Sequence, residues 1–175
     1  MSHIIYSESG MLNYSKISAL MHSAGFDLWG VVPAEEMSDA KSRFEGWLND
    51  GYDYRLDYLR RNVDKRFDGR LLLEGARTIV VGAVAYKNHL SEGYGADCDA
   101  RIASYALSRD YHTSLREMFS EVAAGLGITD RRGMKICVDS APLAEKTLAK
   151  RAGIGWIGRN SLIINPKIGS FMVLG

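Results

Sequence analysis

Residues 78–86, TIVVGAVAY, set the first limit on the fold. The run is apolar and β-branched, and it is about half as long as the ~18 residues a membrane helix needs, so it reads as a buried β-strand. Such a strand needs partners and cover, and the flanking sequence supplies both. NYSKISALMHSAGF places Ile17, Leu20, Met21 and Ala24 on one helical face and stops at Gly25. FDLWGVV reads as a strand ending at Pro33, and DAKSRFEGWLND as a second helix with Ser38 as its N-cap and Gly51 beyond its end. IASYALSRDYHTSLREMFSEVAAGLG carries a helical pattern through Leu115, Met118, Phe119 and Val122 and closes at Gly125 or Gly127. KICVD is then a strand, PLAEKTLAKRAG a helix from Pro142 to Gly153, and SLIIN and SFMVLG are short strands. This alternation predicts an α/β fold with a mixed or mainly parallel sheet flanked by helices. The apolar SFMVLG, if left unpaired, would favour dimerisation.

The order of elements also decides what RAGIGWIGRNSLIINP can be. Gly153, Gly155 and Gly158 have the spacing G-x-G-x-x-G, which in a dinucleotide site follows a strand and opens a helix. Here a helix precedes the glycines and a strand follows. The acidic residue expected about 20 positions later is missing, since no Asp or Glu follows Glu145. A nicotinamide site is therefore disfavoured. Trp156 among these glycines fits either a flat partner approached closely by backbone or a tight helix-to-strand connection.

Composition narrows the class. With 46% hydrophobic and 25% charged residues the chain is of ordinary globular type, and its 175 residues suffice for one domain with its own core. MSHIIYSESG lacks the basic and apolar regions of a signal peptide, so the cytoplasm is the expected compartment. The two cysteines, Cys98 and Cys137, form no disulfide framework or C-x-x-C metal site. Cys137 reads as a small core residue and Cys98 as a loop residue. Residues 1–130 hold 14 basic and 19 acidic side chains, residues 131–175 hold 8 and 2, which permits an anionic partner at the second stretch.

Several residues could carry chemistry. Asp139 closes a predicted strand just before SAP, where open α/β sheets place ligands; it serves either as a helix cap or as a reacting carboxyl. A helix N-terminus would lower its pKa, and a proton donor needs the reverse. Arg109, Asp110, Tyr111 and His112 cluster at a helix start, with a capping role for Asp110 and a core role for Tyr111 as the plainer readings. Arg66 and Arg70 could hold a carboxylate, amide or phosphate. The Tyr- and Arg-rich stretch YDYRLDYLRRNVDKRFDGRLLLEGAR has no clean period and reads as short helices and ordered loops, either a surface cap or a lid.

Taken together, DKRFDGRLLLEGARTIVV, IASYALSRDYH and VDSAPLAEKTLAKRAGIGWIGRNSLIINPKIGSFMVLG resemble, in order and spacing, the N-terminal catalytic domain of epoxyqueuosine reductases. The resemblance implies that residues 1–175 form a single cobalamin-binding domain, similar to the nitroreductase-related core of reductive dehalogenases. It further implies a cobalamin-dependent oxidoreductase that reduces the epoxide of epoxyqueuosine in tRNA to the alkene of queuosine. In that family the cofactor has no lower axial protein ligand, and electrons arrive from two [4Fe-4S] clusters in a following ferredoxin-like domain. No cluster-ligating pattern occurs in this chain, so it is expected to bind cobalamin yet lack its own electron supply. Asp139 matches the proton donor, and Arg66, Ala103, Asp139, Ile163 and Leu174 match positions lining the cobalamin. The glycine segment would pack backbone beside the corrin ring. Ser104 stands where the family often has a basic residue. The alternatives are a non-catalytic cobalamin-binding or cobalamin-handling module and, by fold analogy alone, a flavin reductase.

Overall fold

The computed structural model describes residues 3–6, 13–86, 102–128, 130 and 132–175. Cys98 and its loop-like stretch lie outside them. The apolar run forms β3 (Thr78–Ala85), the middle of a five-stranded sheet. One edge of β3 takes β2 (Leu28–Pro33); the other takes β1 (His3–Tyr6), which pairs in turn with β4 (Met134–Ile136). Ala83 faces both Leu28 and Leu174, so β7 (Met172–Leu174) lies on the β1 side of β3, end to end with β1. The C-terminal apolar run is thus paired with β3. A separate hairpin joins β5 (Trp156–Ile157) to β6 (Ile163–Ile164).

Every strand pair among the described residues is antiparallel, which corrects the mixed or mainly parallel sheet. The physical reason lies in β3. Val80 packs with Ile17, Met21, Leu115 and Phe119 of α1 (Tyr14–Ser23) and α4 (Tyr111–Leu126). Ile79, Val81 and Ala83 point the other way, into a cluster with Met37, Phe67, Leu143 and Leu148, under α2 (Ser38–Asn49), α3 (Val63–Phe67) and α5 (Glu145–Arg151). Continuous hydrophobicity reports burial on two faces and carries no information on strand direction. Each fully buried aliphatic side chain contributes about 1.5–3 kcal/mol, so this one strand anchors both halves of the core.

The helices follow the sequence pattern with shifted ends. Ser38 is the first residue of α2 and Met37 its cap, and α4 ends on Gly127 with φ +80°. The Tyr- and Arg-rich stretch folds as expected, into 3-10 turns at Asp57–Arg60 and Gly69–Leu71 around α3. Its anchor is Asp53, only 1% exposed, which takes two hydrogen bonds from Arg60 at 2.6 and 2.7 Å while Arg60 also donates to the Leu48 carbonyl. Among the described residues no helix is long and apolar enough to cross a membrane.

Candidate active site

Asp139 lies three residues beyond β4 and has φ +48°, a left-handed conformation that Asp tolerates better than most side chains. The helix expected to start at Pro142 starts at Glu145, so Asp139 does not cap it and feels little of its dipole. The carboxylate is instead held from α4. Tyr111 donates its hydroxyl to Asp139 Oδ2 at 2.6 Å, and His112 Nε2 stands 3.3 Å from the same oxygen. His112 Nδ1 lies 2.7 Å from Asp110 Oδ1, and Asp110 caps α4 through the His112 N–H. The capping role foreseen for Asp110 holds, and Tyr111 packs its ring against the core cluster of α1 and α4 while its hydroxyl reaches Asp139. Burial raises the Asp139 pKa, the Tyr111 hydrogen bond and nearby positive charge that includes His112 lower it, and the lowering prevails. Burial and the bond to Asp139 together push the Tyr111 phenol above its ordinary range.

Asp139 opens onto a cavity of about 510 Å³ together with Tyr58, Arg61, Arg66 and Glu145. A second cavity of about 630 Å³ has an apolar floor from Phe44, Trp47, Phe67 and Ile157, and shares Arg66, Leu143 and Glu145 with the first. Arg66 forms part of the dividing wall, its guanidinium 5.4 Å from the centre of the Phe44 ring. The backbone is fixed there by the Ala144 N–H donating to the Arg66 carbonyl at 2.8 Å. Arg66 Nε and Glu145 Oε1 are both buried without a hydrogen-bond partner. Unsatisfied buried polar atoms are costly, and two of opposite character on one cavity wall define a place for a ligand group that both accepts and donates. Arg70, the other guanidinium considered, is bound by Asp68 at 2.7 and 2.9 Å.

Glu145 is the functional candidate that the sequence reading passed over. It is 8% exposed, and burial pushes its carboxyl up to about 8. Its signal was present, because Leu148 and Ala149 stand three and four positions on and form the buried side of α5. Of the other resemblance-derived positions, Ile163 and Leu174 are buried in the core beside Leu143 and Phe67. Ala103 is exposed, just before the 3-10 turn Ser104–Leu107, and that turn's Tyr105 meets the Tyr111 ring edge-on at 6.2 Å. Asp139 and Arg66 therefore share a cavity, Ala103 is linked to them through Tyr105 and Tyr111, and the side chains of Ile163 and Leu174 line neither cavity. Cys137 is fully buried with its thiol pushed up to about 11 by burial, in keeping with a core role.

The glycine segment serves the chain's own backbone. Gly153 has φ +75° and turns the chain out of α5, and a Cβ on Gly155 would collide with the Ile164 carbonyl oxygen of β6. The close approach Gly155 permits is that of the β5–β6 hairpin onto itself. Trp156, 49% exposed, sits on β5 of that tight connection.

Fold and cavities define a helix-flanked antiparallel sheet that presents a carboxylate and a guanidinium to one large open site. The family profile described as "Epoxyqueuosine reductase QueG, DUF1730" matches residues 66–140, from Arg66 to just past Asp139. An epoxyqueuosine reductase of Leadbetterella byssophila is 36% identical over 169 residues, which make up 94% of this chain and 54% of that protein. The structure of epoxyqueuosine reductase from Streptococcus thermophilus matches with a TM-score of 0.78 at 27% identity, over 94% of this chain and 45% of that one. A crystal structure of epoxyqueuosine reductase with an epoxyqueuosine-modified tRNA-Tyr stem loop matches with a TM-score of 0.70 at 27% identity, over 91% and 43%. The chain belongs to the epoxyqueuosine reductase family. It spans about half the length of the curated relatives it matches.

Proposed function

We propose that this chain is the part of an epoxyqueuosine reductase that holds the redox cofactor and protonates the departing epoxide oxygen, with tRNA carrying epoxyqueuosine as substrate. The observation that carries the reading is Asp139, fixed by Tyr111 and His112 at the mouth of a cavity that also holds the unpaired Arg66 Nε. A relative with an epoxyqueuosine-modified tRNA stem loop supports the substrate class.

Converting an epoxide to an alkene consumes two electrons and two protons and releases the oxygen as water. Cobalamin, when bound, supplies a cobalt centre able to deliver the electrons to the carbon–oxygen bond. The residues present fit such a group, because two adjoining cavities offer an apolar floor and a wall with one unpaired donor and one unpaired acceptor, which suits a large ring with amide side chains. Arg66 and Asp139 would hold it from the cavity walls, while Ala103, Ile163 and Leu174 are tied to it by the resemblance alone. Asp139 would give its proton to the leaving oxygen, and its Tyr111 bond fixes the carboxyl oxygen for that transfer. Two cysteines cannot supply the thiolates of two [4Fe-4S] clusters, so electrons would come from groups outside these residues. A tRNA substrate supports a cytoplasmic location for this chemistry.

A visible-light titration of the chain with cobalamin under reducing conditions tests the cofactor half of the proposal. Saturable binding weakened by Arg66→Ala is expected. In the complete enzyme, Asp139→Asn should retain cobalamin and lose epoxide reduction. Full reduction by Asp139→Asn would overturn the donor role, and binding without turnover in the complete wild-type enzyme would favour a cobalamin-handling module.

A further inference from the structure

Single exposed apolar residues need no explanation, whereas a row of aromatic rings held out on a fixed loop marks a docking surface. Between α2 and α3 the chain sets out three tyrosines: Tyr54 is 81% exposed, Tyr52 66% and Tyr58 56%. The loop that carries them is tied down. The Asp53–Arg60 pair anchors it from within, and its turns are closed by the Leu56 N–H donating to the Asp53 carbonyl at 2.9 Å and the Arg61 N–H to the Tyr58 carbonyl at 3.3 Å. Tyr54 takes the left-handed region at φ +48°, which a bulky side chain rarely adopts, and its ring stands in solvent.

We propose that Tyr52, Tyr54 and Tyr58 form a stacking platform for the unpaired bases of a single-stranded RNA loop whose target base enters the Asp139 cavity. The inference rests on the reading of RNA as substrate given above, and it adds the surface that receives the RNA. At one end of the row, Tyr58 and Arg61 line the cavity together with Asp139. At the other, the Tyr52 ring lies 6.5 Å from that of Trp47, and Trp47 stacks on Phe44 at 5.7 Å; these last two belong to the floor of the larger cavity. The row therefore follows the rim of the site from one cavity to the other. A base drawn inside leaves its chain neighbours on that rim.

Chemistry selects the occupant. Every base has a π-face that stacks on an aromatic side chain, and unpaired loops are the part of an RNA that proteins read in this way. The Arg55 guanidinium lies 5.6 Å from the centre of the Tyr54 ring, which leaves the opposite face of that ring to a base. Arg55 and Arg61 are exposed and within reach of phosphates, while Asp50 and Asp57 on the same loop offset their charge. Stacking, more than charge, therefore carries the contact. A double helix keeps its base faces stacked on one another and offers the tyrosines none.

The test uses the complete enzyme and a hairpin RNA without epoxyqueuosine, so that binding is read apart from epoxide chemistry. In fluorescence anisotropy, Tyr54→Ala and Tyr58→Ala should each weaken hairpin binding by about tenfold or more, and Tyr54→Phe and Tyr58→Phe should stay within about twofold of the wild type. The Ala variants should leave the salt dependence unchanged, whereas Arg61→Ala should make the slope of log K against log salt shallower by about 0.7. The hairpin should also shield Tyr54 and Tyr58 from nitration by tetranitromethane, and a blunt RNA duplex should not. Unchanged affinity in both Ala variants would overturn the proposal. So would tyrosines already shielded in the RNA-free enzyme, the result expected if a protein segment covers this surface. If the wild-type enzyme binds the hairpin through these rings and reduces no epoxide, the functional reading of Asp139 fails while the platform stands.

Discussion

Replacing Glu145 with Gln should make the chain more stable at alkaline pH and leave it little changed at pH 5. In the unfolded chain the carboxyl titrates at its ordinary value of 4.5, and in the folded chain burial holds it up to about 8. Between those limits the native state binds a proton that the unfolded state does not, so stability falls as pH rises, and it levels off above both values. The full separation corresponds to about 4–5 kcal/mol. One effect works against it. Glu145 is the first residue of α5, where the exposed N–H groups favour a carboxylate by about 0.3–1 kcal/mol. The loss left to observe is about 4 kcal/mol, spread between roughly pH 4.5 and 8. Urea unfolding of the two proteins at closely spaced pH values measures it. The stability of Glu145→Gln minus that of the wild type should climb through this window and then flatten. A flat difference, or one that falls with pH, would refute the claim that Glu145 is buried in its protonated form.

Three further outcomes follow from particular contacts. Arg60→Ala leaves the carboxylate of Asp53 buried and unpaired, which should cost about 2–4 kcal/mol in urea unfolding; the double variant with Asp53→Ala should cost less than Arg60→Ala alone. Gly155→Ala forces a Cβ into the Ile164 carbonyl and should lower stability by about 2 kcal/mol or more in thermal unfolding, whereas a loss under about 0.5 kcal/mol would mean the β5–β6 hairpin can open at no cost. Tyr111→Phe removes the hydroxyl that stabilises the Asp139 carboxylate, so the Asp139 pKa should rise, as read from carboxyl carbon shifts; an unmoved or lower value would show that the 2.6 Å bond does not govern this group.

Much of the architecture could be read from periodicity. Ile17 and Met21 of α1 and Leu115, Phe119 and Val122 of α4 recur at helical spacing, and those side chains form the observed core. The strand directions could not be read, because β3 looks the same whether its neighbours run with it or against it. β1 escaped notice for a different reason: HIIY is four residues between polar flanks, and its membership of the sheet is decided by pairing with β3 and β4, far away in sequence. Long-range pairing of this kind leaves little trace in a local pattern. The glycine spacing around Gly155 was conspicuous yet ambiguous, since close approach to a ligand and close approach to β6 demand the same missing side chain.

Asp139 was visible because it broke a pattern, ending an apolar run with a charge. Glu145 was hidden because it kept one, sitting in a lysine-rich helix where a glutamate draws no attention. Only the packing separates them. The left-handed loop carries Asp139 away from the helix N-terminus, the Tyr111 hydroxyl favours its carboxylate, and the buried side of α5 takes Glu145 out of water. Both line one cavity, and there a buried, unpartnered acid costs several kcal/mol at alkaline pH at a position that an alanine or leucine would fill more stably.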